Sequence, residues 1–360
     1  MIKQISFCIT CMNRLEHLQK TLEKNILDNF LVNDVEFVVL DYNSHDGLEE
    51  WMSQCMMKYI EMGILVYYKT TEPTHYLRSH SRNMVFRLAE GKIVCNLDAD
   101  NYLGEGFAEF MLKEFQDKKN IFYISTFHKR DVFGRICLNK KDFVAVKGYN
   151  EALVGYGLED AELFDRLLNK RLEQQIFFQK EFYGAVTHSD EDRISQENMF
   201  KNLHSIYLNY INPYSTEILI LYADSSFGLG IIQDNVVLNC NLMNVPGGIR
   251  RCMDERFRIT IKNKWEEGVW TDLGNEILLN VKGEKSQYSK NMEGLYCCRQ
   301  QYYKVTDTVL VIKIVMVITE ALNFFRMQEM TKNCGEVNSG GFGQGIVYKN
   351  FDYANKIALS

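Results

Sequence analysis

Asp98-Ala99-Asp100 places two carboxylates two residues apart, directly after the apolar run Lys92 to Leu97. The run reads as a buried strand, and residues two apart at a strand end project to one side. Hard divalent ions take oxygen ligands and often share them with phosphates. The pair therefore points to a metal–diphosphate site, although acidic pairs also solvate strand ends. Glu159-Asp160 opens a helical pattern. That suits a catalytic carboxylate, and equally plain complementation of the helix dipole. Asp41 closes another apolar run and begins the turn-forming cluster Asp41-Tyr42-Asn43-Ser44-His45-Asp46-Gly47. Its carboxylate can accept hydrogen bonds from a ligand or serve as a turn or cap residue. His188, just past a short strand candidate at Ala185 to Thr187, is compatible with Mn²⁺ or with simple packing.

Strands and helices that alternate would hold these groups. Strand patterns cover Ile5–Thr10, Val35–Leu40, Ile64–Tyr68 and the run to Asp98. Between them lie helical patterns at Leu15–Leu27, Leu48–Glu61 and Ser81–Ala89, the last stopped by Gly91. Phe107–Phe115 and Glu159–Asn169 read as helices, Ile121–Thr126 and Phe143–Val146 as strands, and Ser195–Tyr210 as a helix. Alternation implies a mostly parallel sheet with helices on both faces. Ligands bind outside the carboxyl ends of such strands, where Asp41 and Asp98 both lie. Beyond about residue 215 the pattern turns strand-rich. The expected organisation is a catalytic domain over 1–214 and an accessory α+β region over 215–360.

A net charge of −6 argues against a nucleic-acid partner. Ten irregularly placed cysteines and no signal peptide read as a reduced, cytoplasmic chain. Cys8 and Cys11 have redox spacing, but residues three apart in a strand face opposite ways, which favours a core role. Val309 to Phe325 is short for a membrane span and contains Lys313 and Glu320; its core, Val309 to Ile318, reads as a buried strand. Gly340 to Gly345 reads as a mobile loop lacking the Lys-Ser/Thr of a phosphate loop. The aromatic residues of the last third, including Trp265 and Trp270, read as core.

Four motifs in order resemble a nucleotide-sugar glycosyltransferase of the GT-A fold, over about residues 3 to 210. Ile9-Thr10-Cys11-Met12-Asn13-Arg14 ends the first strand and lacks the proline usual near Cys11. Asp41 to Gly47 is similar to the family 2 pattern D-x-x-S-x-D-G. Arg82-Asn83, Ala89-x-Gly91 and Asp98-Ala99-Asp100 keep the family spacing, with Arg78 five residues before Asn83. Lys147-Gly148-Tyr149-Asn150 followed by Gly155-Tyr156-Gly157-Leu158-Glu159-Asp160 resembles the galactosyltransferase pattern N-G-F … G-W-G-G-E-D. Tyr156 stands for the usual Trp and Leu158 for a Gly.

The resemblance implies a Rossmann-like mixed sheet flanked by helices and a metal-dependent inverting transfer from a UDP-sugar, galactose or N-acetylgalactosamine favoured. Thr10, Arg14, Asp41, Arg78 and Asp98 would bind the nucleotide. Asp98, Asp100 and His188 would hold Mn²⁺ or Mg²⁺. Asp160, with Glu159 beside it, would be the base, and Tyr156 and Gly157 would meet the acceptor. His75, His80 and Arg82 add positive charge nearby. The acceptor would be a glycan or lipid-linked saccharide. No transmembrane segment is expected; the reading allows peripheral association at the inner face of the membrane, and a homodimer. A retaining or glucosyl/N-acetylglucosaminyl-type transferase stays open, as does a non-catalytic carbohydrate-binding protein of the same fold.

Overall fold

The computed structural model describes residues 3–30, 34–126, 130–234, 259–333 and 335–360. Four buried apolar runs, β1 (Ile5–Cys11), β2 (Val35–Tyr42), β3 (Leu65–Thr70) and β4 (Ile93–Asn96), pair in parallel. β5 (Ile121–Ile124), β6 (Ile136–Asn139) and β7 (Glu173–Ile176) extend one edge. Two C-terminal strands, β16 (Gly345–Lys349) and β17 (Asp352–Leu359), extend the other. The nine-stranded order is β17-β16-β3-β2-β1-β4-β6-β5-β7, with β6 and β16 antiparallel to their inner neighbours β4 and β3. It is a mixed α/β sheet flanked by helices. α1 (Leu15–Asn29) and α5 (Phe107–Asp117) contribute to the core on one face. α4 (Arg78–Leu88) and α7 (Glu159–Asn169) contribute to the core on the other.

The expected Leu48–Glu61 helix is two, α2 (Leu48–Cys55) and α3 (Met57–Glu61), broken at Met56. Phe143–Val146, expected as a strand, lies largely in the helix α6 (Lys140–Ala145). Four consecutive apolar residues cannot distinguish the two periods. Packing does: Phe143 sits 4.6 Å from the Phe86 ring, and Lys140 Nζ donates to the carbonyls of Arg87 and Ala89 at the end of α4. Phe177 and Phe178 fall just past β7, and Ala185 makes only an isolated bridge with Asn101.

The second unit is a closed antiparallel barrel. Its strands are β8 (Leu203–Asn212), β9 (Ser215–Tyr222), β10 (Ser226–Asp234), β11 (Ile259–Asp272), β12 (Glu276–Val281), β13 (Glu284–Asn291), β14 (Gly294–Cys297) and β15 (Gln300–Lys304). The expected helix over Ser195–Tyr210 is instead the single turn α9 (Asn198–Lys201) followed by β8, with another short helix, α8 (Asp190–Ile194), just before it. β8 buries both faces, Ile206 and Leu208 in one cluster and Tyr207 in another, which hides its alternation. Val309–Ile318 is not a strand either: it lies in the 25-residue helix α10 (Thr308–Lys332), which Asp307 caps by accepting from Leu310 N at 2.7 Å. α10 is long and apolar enough to cross a membrane by length and composition, with a mean hydropathy of 1.9 over its most apolar 18-residue window. Its Ile312, Val315, Ile318 and Leu322 join Ile206, Leu208, Ile218 and Ile220 of β8 and β9 in one apolar cluster.

The compact units run differently from 1–214 and 215–360. The first comprises 1–154, 159–189 and 336–360, and the second 155–158 and 190–335. Strand pairing is the reason. β8 pairs with β9 and so belongs to the barrel, while β16 pairs with β3 and returns the C-terminus to the first sheet.

Candidate active site

The loops after β1 and β2 are laced together by short polar side chains. Asn13 takes a left-handed φ of 53°; its amide donates to Ser44 Oγ at 3.1 Å, and its Oδ1 accepts from His45 N at 2.7 Å. Asp46 accepts from Leu15 N at 2.8 Å and so caps α1 across the gap. Arg14 stands half-buried at the start of that helix. Asp41 is fully enclosed: its carboxylate accepts from Ser44 N and from the Tyr67 hydroxyl, each at 2.7 Å, and burial pushes its pKa up. The expected nucleotide-binding Asp41 is thus closed off from solvent in this structure. Asp41 organises the turn, because the backbone and Tyr67 already use both its oxygens. Thr10 Oγ1 lies 2.6 Å from the Tyr76 hydroxyl, and the Arg78 guanidinium sits over the Tyr76 ring at 5.5 Å. The structure thus joins Thr10 and Arg78 through a tyrosine that the motifs did not single out.

Arg82 is the centre of the site. It projects from α4, is 2 % exposed, and meets three carboxylates. Nη1 lies 2.9 Å from Asp160 and 3.4 Å from Glu159, and Nη2 lies 3.1 Å from Asp98. Arg78 Nε adds a contact of 3.5 Å to Glu159. Gly134 permits the crowding: a Cβ there would sit 2.8 Å from Arg82 Nη2 and 3.3 Å from Asp160. Burial works to raise the Asp98 pKa, but Arg82 and the Asn96 amide outweigh it and hold that carboxyl below its usual value. Asp160 goes the other way: burial, helped by Glu159 and Asp98 and opposed by Arg82, pushes it up to about 6. Environments that drive neighbouring acids apart are the signature of divided acid–base roles. The buried Tyr149 hydroxyl and Arg82 Nε have no hydrogen-bond partner among the described residues, so the cluster has unused polar atoms facing inward.

A pH profile follows. A base must be ionised, so turnover should fall as pH drops through about 6, the value to which Asp160 is raised. Because the folded state holds this proton more tightly than the unfolded chain, ionising Asp160 as pH rises through that window subtracts from stability. A kcat–pH profile with its acidic limb near the ordinary aspartate value of about 4 would remove Asp160 from the base role.

Asp100 and His188 come together as expected. His188 Nε2 lies 2.6 Å from Asp100 Oδ2, and Asn101 Nδ2 donates to Asp100 Oδ1 at 2.8 Å. The imidazole of His17, on the first turn of α1, meets the His188 ring edge-on at 5.4 Å. Burial, then Arg14, lowers the His17 pKa. Asp98, the third expected ligand, is instead engaged by Arg82 and Asn96. No group of three or more His, Cys, Asp or Glu side chains among the described residues is arranged as a metal site. Asp100 and His188 nevertheless pair an oxygen with a nitrogen donor, ligand types that Mn²⁺ accepts.

Tyr156 and Gly157 lie in the stretch that joins the second unit. Tyr156 is half-buried and packs with the cluster of Ile194, Val315 and Ile318. Gly157 has a φ of 101°, and its carbonyl accepts from Asn323 at 2.8 Å. Leu158 keeps a left-handed φ of 79°, the conformation that the glycine of the resembled motif supplies without strain. The loop around Gly340 to Gly345 is not a loose strap. Arg87 donates to the Phe342 and Gly343 carbonyls, and Gly343 N donates to Glu151 at 2.6 Å. His80 Nε2 lies 2.8 Å from the Gln344 carbonyl, so His80 joins α4 to this loop.

Residues 126–189, which include Glu159, Asp160 and His188, match the family model described as the N-terminal domain of galactosyltransferase. Comparison with curated proteins gives no match. Among solved structures, a mannosyltransferase from Pyrobaculum calidifontis in complex with GDP-Man and Mn²⁺ is 15% identical, with a TM-score of 0.41, over 51% of this chain and 59% of that one. S. aureus TarS (1-349) is 13% identical, with a TM-score of 0.42, over 52% and 61%. The catalytic domain of Drosophila β1,4-galactosyltransferase 7, in complex with xylobiose, is 13% identical, with a TM-score of 0.39, over 55% and 75%. The chain spans about 60% of the length of the first two structures. The galactosyltransferase-type match thus falls on the segment that carries the acidic pair of α7.

Proposed function

We propose that the protein is a metal-dependent inverting glycosyltransferase that moves a hexose or N-acetylhexosamine, galactose or N-acetylgalactosamine first, from a UDP-sugar to a saccharide acceptor. The observation that carries the reading is the buried acidic cluster around Arg82, in which Arg82 holds Asp98 below its usual value while burial, against the pull of Arg82, raises its neighbour Asp160 to about 6. Asp160 would accept the proton of the attacking hydroxyl. Arg82 would hold that carboxylate in place, and Glu159, pinned by Arg78 and Arg82, would keep the first turn of α7 oriented. A carboxylate, rather than an amide, in the second place of Glu159-Asp160 supports inversion. Arg78 and Thr10, tied through Tyr76, would face the nucleotide. Asp100 and His188 would hold Mn²⁺ or Mg²⁺, which when bound neutralises the leaving diphosphate as a Lewis acid. The described cysteines are free, which supports a reducing, cytoplasmic setting. The acceptor would be a glycan or lipid-linked saccharide, met at the inner face of the membrane.

Calorimetry tests donor and metal together. UDP should bind at least ten-fold more tightly with Mn²⁺ than with EDTA, and ahead of GDP, CDP and dTDP. Equal UDP affinity in EDTA would remove the metal from the reading. Preference for GDP would remove the uracil assignment, which now rests on Arg78 and Thr10 because Asp41 is enclosed.

A further inference from the structure

We infer that Asn338 is a positioning residue for the acidic cluster: from the C-terminal segment, and outside every motif, it holds the Tyr149 backbone so that the Tyr149 ring keeps the Arg82 guanidinium in place. The inference rests on the base role proposed for Asp160 and adds what fixes the arginine beside it.

Lys147 and Gly148 take left-handed φ values of 60° and 67° in succession. A non-glycine residue keeps that conformation only where its surroundings over-determine it. Here they act from two sides. From α4, the Asn83 carboxamide bonds both backbone groups of Tyr149: Oδ1 accepts from Tyr149 N at 2.7 Å, and Nδ2 donates to the Tyr149 carbonyl at 2.8 Å. From the C-terminal segment, Asn338 Nδ2 donates to the carbonyls of Lys147 and Tyr149, each at 2.7 Å, and its Oδ1 accepts from Glu151 N at 3.1 Å. Glu151 closes the ring of bonds, accepting from Asn83 Nδ2 at 2.7 Å and from Gly343 N at 2.6 Å. Gly148 leaves no slack, since a Cβ there would meet Asn83 Oδ1 and lie 2.8 Å from the Phe342 ring. Asn338 itself has a φ of 49°, which asparagine tolerates better than most residues.

What this clamp holds is the Tyr149 side chain. It is fully buried, and the Arg82 guanidinium lies over its ring at 5.4 Å. A desolvated guanidinium is attracted to an aromatic face. The carboxylates engage Nη1 and Nη2, while Nε has no hydrogen-bond partner among the described residues. Both tips of the fork are therefore bonded to acids, and the ring is what meets the fork as a whole. Phe86 and Phe143 meet the Tyr149 ring edge-on at 6.0 and 5.9 Å, and Phe342 of the C-terminal segment meets Phe143 at 5.9 Å. The same segment thus supports Tyr149 at its backbone and, through Phe143, at its ring. Arg82 in turn lies 2.9 Å from Asp160. In sequence, 189 residues separate Asn338 from Tyr149, so only the fold reveals the connection.

The experiment measures turnover of UDP-galactose with Mn²⁺, read as released UDP, in the full-length protein. Asn338→Gly removes the side chain and keeps the left-handed backbone. Misplacing a reacting group by an ångström costs about 10²-fold, so this variant should lose at least about ten-fold in kcat while KM for UDP-galactose stays near the wild-type value. Asn338→Ser, which keeps one donor, should recover part of the loss. Arg82→Lys leaves no fork for the ring to hold. In that background Asn338→Gly should therefore lower kcat by less than it does in the wild type, whereas a side chain that merely supports the fold would cost the same in both. Circular dichroism reports whether Asn338→Gly is folded; should it not be, Asn338→Ser carries the same comparison. Equal losses in the two backgrounds, or a folded variant with wild-type kcat, would overturn the role of Asn338 and leave the base reading standing. A wild type that releases no UDP, or Asp160→Asn that releases it as fast as the wild type, would overturn the base reading and this inference with it.

Discussion

Asp160→Asn should lower turnover by about 10²–10⁴-fold, the usual contribution of a general base, while UDP affinity in Mn²⁺ stays nearly unchanged. The amide keeps the size of the side chain and can still face Arg82, but it cannot take a proton. Burial drives Asp160 up to about 6 and Arg82 at 2.9 Å restrains it, so at neutral pH it is ionised yet basic enough to accept a proton. The variant should also lose the acidic limb of the kcat–pH profile near that value, which a merely structural asparagine would leave in place. Asp100→Asn should behave differently, weakening Mn²⁺-dependent UDP binding itself, because Asp100 belongs with His188. Near-wild-type turnover of Asp160→Asn on the true acceptor would end the inverting mechanism and turn attention to Glu159.

Arg82→Met should destabilise the first unit by about 3–5 kcal/mol, the cost of removing one partner from buried ion pairs. Asp98, Glu159 and Asp160 would remain, with Arg78 still 3.5 Å from Glu159. Without Arg82, the dominant cause lowering Asp98 disappears, and Asp160 loses the same restraint. Both carboxyls would then titrate higher folded than unfolded, so the variant should regain stability as pH falls, as the folded state takes up more protons. Arg82→Lys should be intermediate, since one ammonium cannot span Asp98 and Asp160 as the guanidinium fork does. Arg82→Met combined with Asp160→Asn should cost less than the sum of the two, because they act on one network. Urea denaturation at pH 5 and pH 7.5 measures all of this, and equal stability of Arg82→Met and wild type at both would show that the cluster is solvated rather than buried.

Much of the domain was legible in local pattern, and particular residues show where that ended. The parallel strands that lead to Asp41 and Asp98 are apolar runs with turn formers after them, so their positions followed from local pattern. The pairing of Asp100 with His188 followed from motif order. Short and uniformly apolar segments were not legible. Val309–Ile318 offers no period to separate strand from helix; Asp307 and the length of the segment decide it. Ser195–Tyr210 carries no break in pattern where it leaves the first unit, and only pairing with β9 assigns it to the barrel.

The charge arithmetic of the site was decided by tertiary structure. In sequence Arg82 is one cation near a diphosphate; in the fold it sits 98 % buried among carboxylates from β4's end and α7, 16 to 78 residues away. The same packing enclosed Asp41, whose type and position suited a ligand but whose oxygens went to Ser44 and Tyr67. It also set His17 against His188, two residues without a common motif. Local sequence determines which groups stand at strand ends. Which of them keep a charge, a lone pair or access to a ligand depends on desolvation and on partners far along the chain, and only the assembled fold supplies those.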